Sequence, residues 1–290
     1  MTASMQTPEQ DAQRLISTLR SLGRVVVAFS GGVDSTVVAA AAQAAGPELA
    51  IAVTAQSPSV PRWQIELSRK IADEIGIKHH VVATGEGDRP EYQRNDNRRC
   101  FFCKETLYES LSEFCSDLSD DVTIVSGTNA DDLGDYRPGI EAGGLAGVAT
   151  PLADLGLNKL RVRALAKHFG LSNSDLPASP CLASRIAYGT EVTAVRLRRI
   201  EQAEDWLRHK GLTEFRVRLH DGELARIEVP KDQIGFLVEL DKDGMMTNVF
   251  QDFGFKFVTI DLEGFRSGSM NRVLVSIGGQ VSSKTKEVMH

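Results

Sequence analysis

Ser30-Gly31-Gly32-Val33-Asp34-Ser35 combines two glycines with two hydroxyls and a carboxylate. It follows an apolar run, Val25 to Phe29, and leads into a run of helix formers, Ser35 to Ala45. Strand, glycine turn and helix together aim backbone N–H groups at an anion. Glycine lets the backbone approach a phosphate with no Cβ in the way, and Asp34 can hold a metal against it. The competing explanation is a tight turn that binds nothing. A second group is Cys100-x-x-Cys103, with Cys181 on a proline-rich bend, Pro177 to Arg185. Asp131 and Asp132 follow another apolar run, Val122 to Ser126, and either can face a nucleotide or cap a helix. Arg216 and Arg218 alternate along a segment that turns at Asp221-Gly222.

The elements that must position these groups are readable from pattern. Thr7-Pro8-Glu9-Gln10 reads as a helix start, with Thr as N-cap, Pro at the first position and Gln in the capping-box place. Strands are expected over Leu49 to Thr54, Lys78 to Ala83 and Val122 to Ser126, with helices between them. This alternation predicts an α/β fold with a doubly wound parallel sheet. In such sheets ligands sit beyond the carboxyl ends of the strands, where the Ser30 turn and Asp131 both fall. Gly85 to Arg99 reads as a long polar connection, with a helix following the Cys100-x-x-Cys103 segment to about Leu118. Cys115 falls on the apolar face of that helix and reads as a small core residue. His79 and His80 are adjacent on a strand, point to opposite faces and so read as structural.

The second half reads as helix, hairpin, helix and strand, a small α+β unit. A three-residue loop, Asp221 to Glu223, pairs Val217 with Ile227, Leu219 with Ala225 and Phe215 with Val229. Arg216, Arg218, His220, Arg226 and Glu228 then share the other face. Arg218 opposite Arg226 costs stability unless an anion lies between them; a solvated outer face is the alternative. The expected domains are 1–188, 189–278 and a disordered tail, 279–290.

A net charge of −6 argues against broad nucleic-acid or membrane binding. No apolar run approaches a membrane span, and Met1 to Gln13 lacks the apolar core of a signal peptide, so the expected location is cytoplasmic. The 4 cysteines then point to metal binding, catalysis or burial rather than to disulfides.

No Gly-Lys-Ser/Thr tripeptide occurs, so the glycine turn is not a Walker A loop. Ser-Gly-Gly-Val-Asp-Ser resembles instead the pyrophosphate loop (PP-loop) of ATP pyrophosphatases, which cleave ATP between the α and β phosphates. With Asp135-Tyr136-Arg137-Pro138-Gly139, Pro180-Cys181-Leu182-Ala183-Ser184-Arg185 and Phe215-Arg216-Val217-Arg218, the resemblance narrows to the LarE family of ATP-dependent sacrificial sulfur transferases. It covers nearly the whole chain and implies a PP-loop nucleotide-hydrolase domain with a smaller α+β substrate-binding and oligomerisation domain. The implied reaction adenylylates pyridinium-3,5-biscarboxylic acid mononucleotide and converts its carboxylates to thiocarboxylates, for the nickel-pincer cofactor of lactate racemase and its relatives.

The resemblance also implies roles. Ser30, Gly31, Gly32, Asp34 and Ser35 are expected to hold the β and γ phosphates of ATP and Mg2+. Thr54 and Gly127 are expected near adenine and ribose, with Asp131 and Arg137 also at the nucleotide. Arg216 and Arg218 are expected on the substrate phosphate, and Cys181 and Ser184 at the sulfur-transfer step beside Asp34. Family members with one cysteine sacrifice its sulfur; those with three hold a [4Fe-4S] cluster with a reusable sulfide. This chain carries Cys100, Cys103 and Cys181, which places it with the cluster type. Zinc, for which no fourth ligand is obvious, and a redox disulfide between Cys100 and Cys103 are the rivals. The family also implies a homo-oligomer, usually a hexamer, and a small-molecule partner rather than a nucleic acid. A PP-loop tRNA thiolase, a single-turnover donor through Cys181 and a non-catalytic nucleotide sensor are the alternative functions.

Overall fold

Thr7 caps the first helix as its sequence requires: the Gln10 N–H donates to Thr7 Oγ1, and the Thr7 N–H donates to Gln10 Oε1 at 3.0 Å. The computed structural model describes residues 7–118, 121–134, 138–177 and 179–266. In order these form α1 (Pro8–Ser21), β1 (Arg24–Ala28), α2 (Val33–Ala45), β2 (Ala50–Gln56), α3 (Arg62–Ile75) and β3 (Lys78–Ala83). Next come α4 (Pro90–Gln93), α5 (Arg99–Ser116), β4 (Val122–Val125), α6 (Pro138–Leu145), α7 (Pro151–Asp154) and α8 (Lys159–His168). The chain continues with α9 (Ala194–His209), β5 (Arg216–His220), β6 (Leu224–Glu228), α10 (Ile234–Leu240), α11 (Met245–Asp252) and β7 (Phe257–Ile260). The expected tail, 279–290, lies outside the described residues.

Two compact units divide the chain. One runs to Ala183 and adds Glu191–Glu201; the other holds Ser184–Thr190 and the chain from Gln202 onward. In the first unit the strand order is β3-β2-β1-β4 and every pairing is parallel. Alternation along β1 divides the core. Val25 and Val27 join a cluster with α1, α2 and α8, whereas Val26 joins Tyr108, Leu111 and Cys115 of α5 on the opposite face. The parallel sheet is therefore covered on both faces, the α/β doubly wound arrangement expected. Cys115 sits in that apolar cluster, and burial raises its thiol pKa.

The connection before Cys100 differs from expectation. It is not a structureless loop: a 3-10 turn, Glu86–Asp88, and α4 occupy it. Pro90 suits a first helical position, and Glu86, Tyr92 and Asn95 are buried anchors. Cys100 and Cys103 likewise fall inside α5 rather than before it, three residues apart and so on one helix face.

In the second unit β5, β6 and β7 form a separate sheet. The hairpin has the three-residue loop expected, with Val217 opposite Ile227 and Leu219 opposite Ala225. Gly222 lies at φ 71°, a left-handed conformation that glycine adopts without strain. Among the described residues no helix is long and apolar enough to cross a membrane.

Candidate active site

The PP-loop turns at the N-terminus of α2, which begins at Val33 rather than Ser35 and so takes Asp34 into its first turn. Gly31 and Gly32 serve different needs. Gly31 has φ +72°, and a Cβ there would lie 3.0 Å from the Ser68 Cα of α3. Gly32 would meet only the Ser30 Oγ, at 3.3 Å, so its missing side chain keeps the loop open to a ligand. Ser35 braces the turn: its hydroxyl donates to the Gly32 carbonyl at 3.0 Å and accepts from the Ser30 N–H at 3.2 Å. Having one proton, it must accept from the Ser30 hydroxyl at 3.1 Å. Asn173 donates to the Gly31 carbonyl at 2.9 Å and fixes the turn from the far side.

Asp34 is paired with Lys159, Nζ to Oδ2 at 2.5 Å, and both line a cavity of about 270 Å³ with the loop. Sequence alone does not single out Lys159. A signal did exist, because a lysine at the first position of a helix opposes the helix dipole. Asp131 caps that helix, accepting the Lys159 N–H at 2.9 Å, and Asp132 accepts the Asn129 N–H at 3.0 Å. Gly127 is a packing requirement: a Cβ there would lie 2.6 Å from the Ser35 nitrogen. Arg137, with Asp135 and Tyr136, lies outside the described residues.

A second cavity, of about 320 Å³, opens beyond the carboxyl ends of β1 and β2. Cys100, Cys103 and Cys181 all line it, as do Thr54, Ser30 and Gln64, and the last two also line the PP-loop cavity. The Thr54 hydroxyl donates to the Phe29 carbonyl at 2.8 Å. His79 Nε2, 2.8 Å from the same hydroxyl, must then carry its proton and donate. Burial, then Arg69, lowers the His79 pKa. His80 packs instead against Phe114, so the two histidines serve opposite faces.

Two contacts hold the Cys181 bend. Arg99, at the start of α5, donates to the Ala183 carbonyl at 2.9 Å and to Asn95 Oδ1, and the Leu182 N–H donates to the Ser59 carbonyl at 2.8 Å. Burial, then Cys181 and Glu86, raises the Cys103 thiol pKa. Burial, then Cys181 and Cys103, raises the Tyr92 phenol. Among the described residues no three His, Cys, Asp or Glu side chains are grouped as a site for a metal ion. Thiolates of one iron–sulfur cluster bind different irons and so stand further apart than those around one zinc, with its Zn–S bonds of about 2.3 Å. Cys100, Cys103 and Cys181 are thus three soft donors on one cavity, and Cys115 is held apart in the core.

In the second unit, the hairpin's charged face is not solvated. Arg218 is 6% exposed and Glu228 0%. The anion between Arg218 and Arg226 is Glu228, whose Oε2 accepts from Arg218 Nη2 at 2.8 Å and whose Oε1 lies 3.2 Å from Arg226 Nη2. Arg185 pairs with Glu204, and Ser184 accepts from Arg218 through its carbonyl at 3.2 Å. Arg216 stands over the Phe265 ring, and burial, then Arg185, lowers its pKa to about 10.

Residues 15–94 match the asparagine synthase family, a span that takes in the PP-loop. An uncharacterised protein of Synechocystis is 43% identical over 266 residues, 92% of this chain and 98% of its own length. The pyridinium-3,5-bisthiocarboxylic acid mononucleotide synthase of Lactiplantibacillus plantarum is 35% identical over 262 residues, 90% of this chain and 93% of that enzyme. The chain belongs to the LarE family. A more distant relative, an uncharacterised protein of Methanocaldococcus jannaschii, is 28% identical over 244 residues, 84% of this chain and 91% of its own length. The chain is thus an ATP-using enzyme of the LarE family, and its PP-loop lies at the N-terminus of α2.

Proposed function

We propose that this chain is an ATP-dependent sulfur transferase acting on pyridinium-3,5-biscarboxylic acid mononucleotide in the cytoplasm. The observation that carries this reading is the pair of adjoining cavities. Ser30 and Gln64 line both, so a carboxylate activated at the PP-loop would stand beside the cysteines. A carboxylate is a poor acyl donor because its leaving group is oxide. Attack of that carboxylate on the α phosphate of ATP forms an acyl adenylate and releases pyrophosphate. Sulfur then forms a bond to the acyl carbon, the C–O bond to AMP breaks, and AMP carries away the electron pair. Gly31 and the first turn of α2 would present N–H groups to the leaving pyrophosphate. Asp34 would hold Mg2+ and Lys159 would neutralise phosphate charge. In the second unit Arg216 would hold the phosphate of the mononucleotide, while Arg218 is held by Glu228 and the Ser184 carbonyl. An arginine desolvated beside like charges gains from any anion that reaches it, and its planar fork suits phosphate.

Cys100, Cys103 and Cys181 would hold a [4Fe-4S] cluster through three irons. When bound, that cluster supplies a transferable sulfide. The product fits a role in making a nickel-pincer cofactor, and the family resemblance supports a homo-oligomer. The test uses protein purified without oxygen, with ATP, Mg2+ and the dicarboxylate. AMP, pyrophosphate and a product heavier by one or two O-to-S exchanges are expected, with several turnovers per chain and iron and sulfide bound. Replacing Cys100 or Cys103 with Ala should abolish iron binding and multiple turnover. ADP as the main product refutes the PP-loop reading. Unimpaired turnover in both cysteine variants, or dehydroalanine at Cys181 in the wild type, refutes the cluster.

A further inference from the structure

We propose that Glu86 is the counter-ion of the substrate's pyridinium ring, so that the cysteine cavity selects a cationic ring over a neutral one. The inference rests on the substrate reading above. Glu86 opens the 3-10 turn after β3, is 3% exposed and lines the cavity with Cys103 and Cys181. Its Oε1 accepts from the Ser59 hydroxyl at 2.7 Å and from the Ser57 hydroxyl. Its Oε2 is buried and has no hydrogen-bond partner among the described residues. A buried carboxylate oxygen left unpaired is costly, and such a cost is met when a ligand brings the missing partner.

The reaction says which partner must come. Sulfur has to lie about 3–3.5 Å from the acyl carbon at attack, and that carbon is bonded directly to the ring. The ring must therefore enter the cavity that the cysteines line. The walls include Phe29, Val53, Val60 and Leu107, so a ring cation arriving there loses water and gains little from them. Glu86 is the one carboxylate among the described residues lining this cavity. Its cationic neighbours are engaged elsewhere: Arg99 donates to Asn95 and Ala183, and the Lys104 ammonium stands 5.9 Å from the Tyr108 ring centroid. The two serines hold Oε1 and leave Oε2 for the ring. They would hold the carbonyl oxygen of a glutamine equally well, so Glu86→Gln removes the charge and keeps the anchor.

The test is calorimetric titration of the full chain with nicotinic acid mononucleotide, a pyridinium with one carboxylate and the same ribose phosphate, and with its neutral 1,4-dihydro form. The wild type should bind the pyridinium about tenfold tighter or more, a difference of about 1.4 kcal/mol. Glu86→Gln should bring the two affinities within about twofold while ATP affinity stays at the wild-type value. Equal binding of both forms by the wild type overturns the proposal without any variant, and so does a Glu86→Gln protein that keeps the preference. If the wild type binds neither mononucleotide, the substrate reading itself fails and takes this inference with it.

Discussion

An alanine at Gly127 probes how closely the segment after β4 is fitted to the N-terminus of α2. Its Cβ would lie 2.6 Å from the Ser35 nitrogen and 2.9 Å from the Asp34 carbonyl carbon and the Ser35 Cα. All three are backbone atoms, so no flexible side chain can yield. The two segments must part by about 0.4 Å to reach the shortest tolerable approach and by about 0.8 Å to reach ordinary contact. Overpacking of this kind costs about 1–3 kcal/mol, a fall in Tm of several degrees at about 2–4 °C per kcal/mol. The displaced turn carries the groups proposed to bind ATP. Misplacement by about 1 Å costs on the order of 100-fold in rate, so kcat/KM for ATP should fall at least about tenfold. The assays are thermal unfolding by circular dichroism and continuous detection of pyrophosphate. Gly144→Ala is the control: it sits in α6 with nothing within 4 Å of the added Cβ, and should be neutral or slightly stabilising. Wild-type Tm and wild-type pyrophosphate release in Gly127→Ala would refute the close approach and its role.

Other outcomes are equally checkable. Asp34→Asn breaks a partly exposed pair, with side chains 26% and 36% exposed, so stability should change by less than about 1 kcal/mol. Pyrophosphate release should nonetheless fall at least about 100-fold if Asp34 holds the metal; near-normal turnover would remove that role. Glu228→Gln withdraws the charge between Arg218 and Arg226 inside the second unit, and denaturant unfolding should show a loss of about 3–5 kcal/mol. A loss below about 1 kcal/mol would mean the two arginines do not depend on it. His79 and His220 both have pKa values lowered first by burial, so the native state keeps them neutral while the unfolded chain protonates near its usual value of about 6.5. Stability should therefore be level above about pH 6.5 and decline as pH falls below it toward the lowered native values. His79→Gln should flatten part of that decline, and a Tm unchanged between about pH 7.5 and 5.5 would contradict the assignment.

Local pattern carried much of this protein. Thr7-Pro8-Glu9-Gln10 specifies a helix start because the capping groups lie within four residues of one another. The hairpin register was legible because only one loop length puts Val217, Leu219, Ile227 and Ala225 on one face. The PP-loop announced itself because strand, glycines and helix are contiguous. The placement of Cys100 and Cys103 inside α5 was less legible, since the first helical turn is held by burial of Arg99 and its bond to Ala183 more than by any local cap. What only the tertiary structure decided were meetings between distant segments. Asp34 and Lys159 are 125 residues apart, and no periodicity relates them. Glu228, read from sequence as one more charge on a face, proved to be the anion that lets two arginines stand opposite each other. Glu86 looked like part of a polar connection and became a buried carboxylate with one oxygen unused. Spacing along the chain encodes backbone conformation and which face a residue takes, whereas burial and charge pairing depend on what the other segments bring to that face.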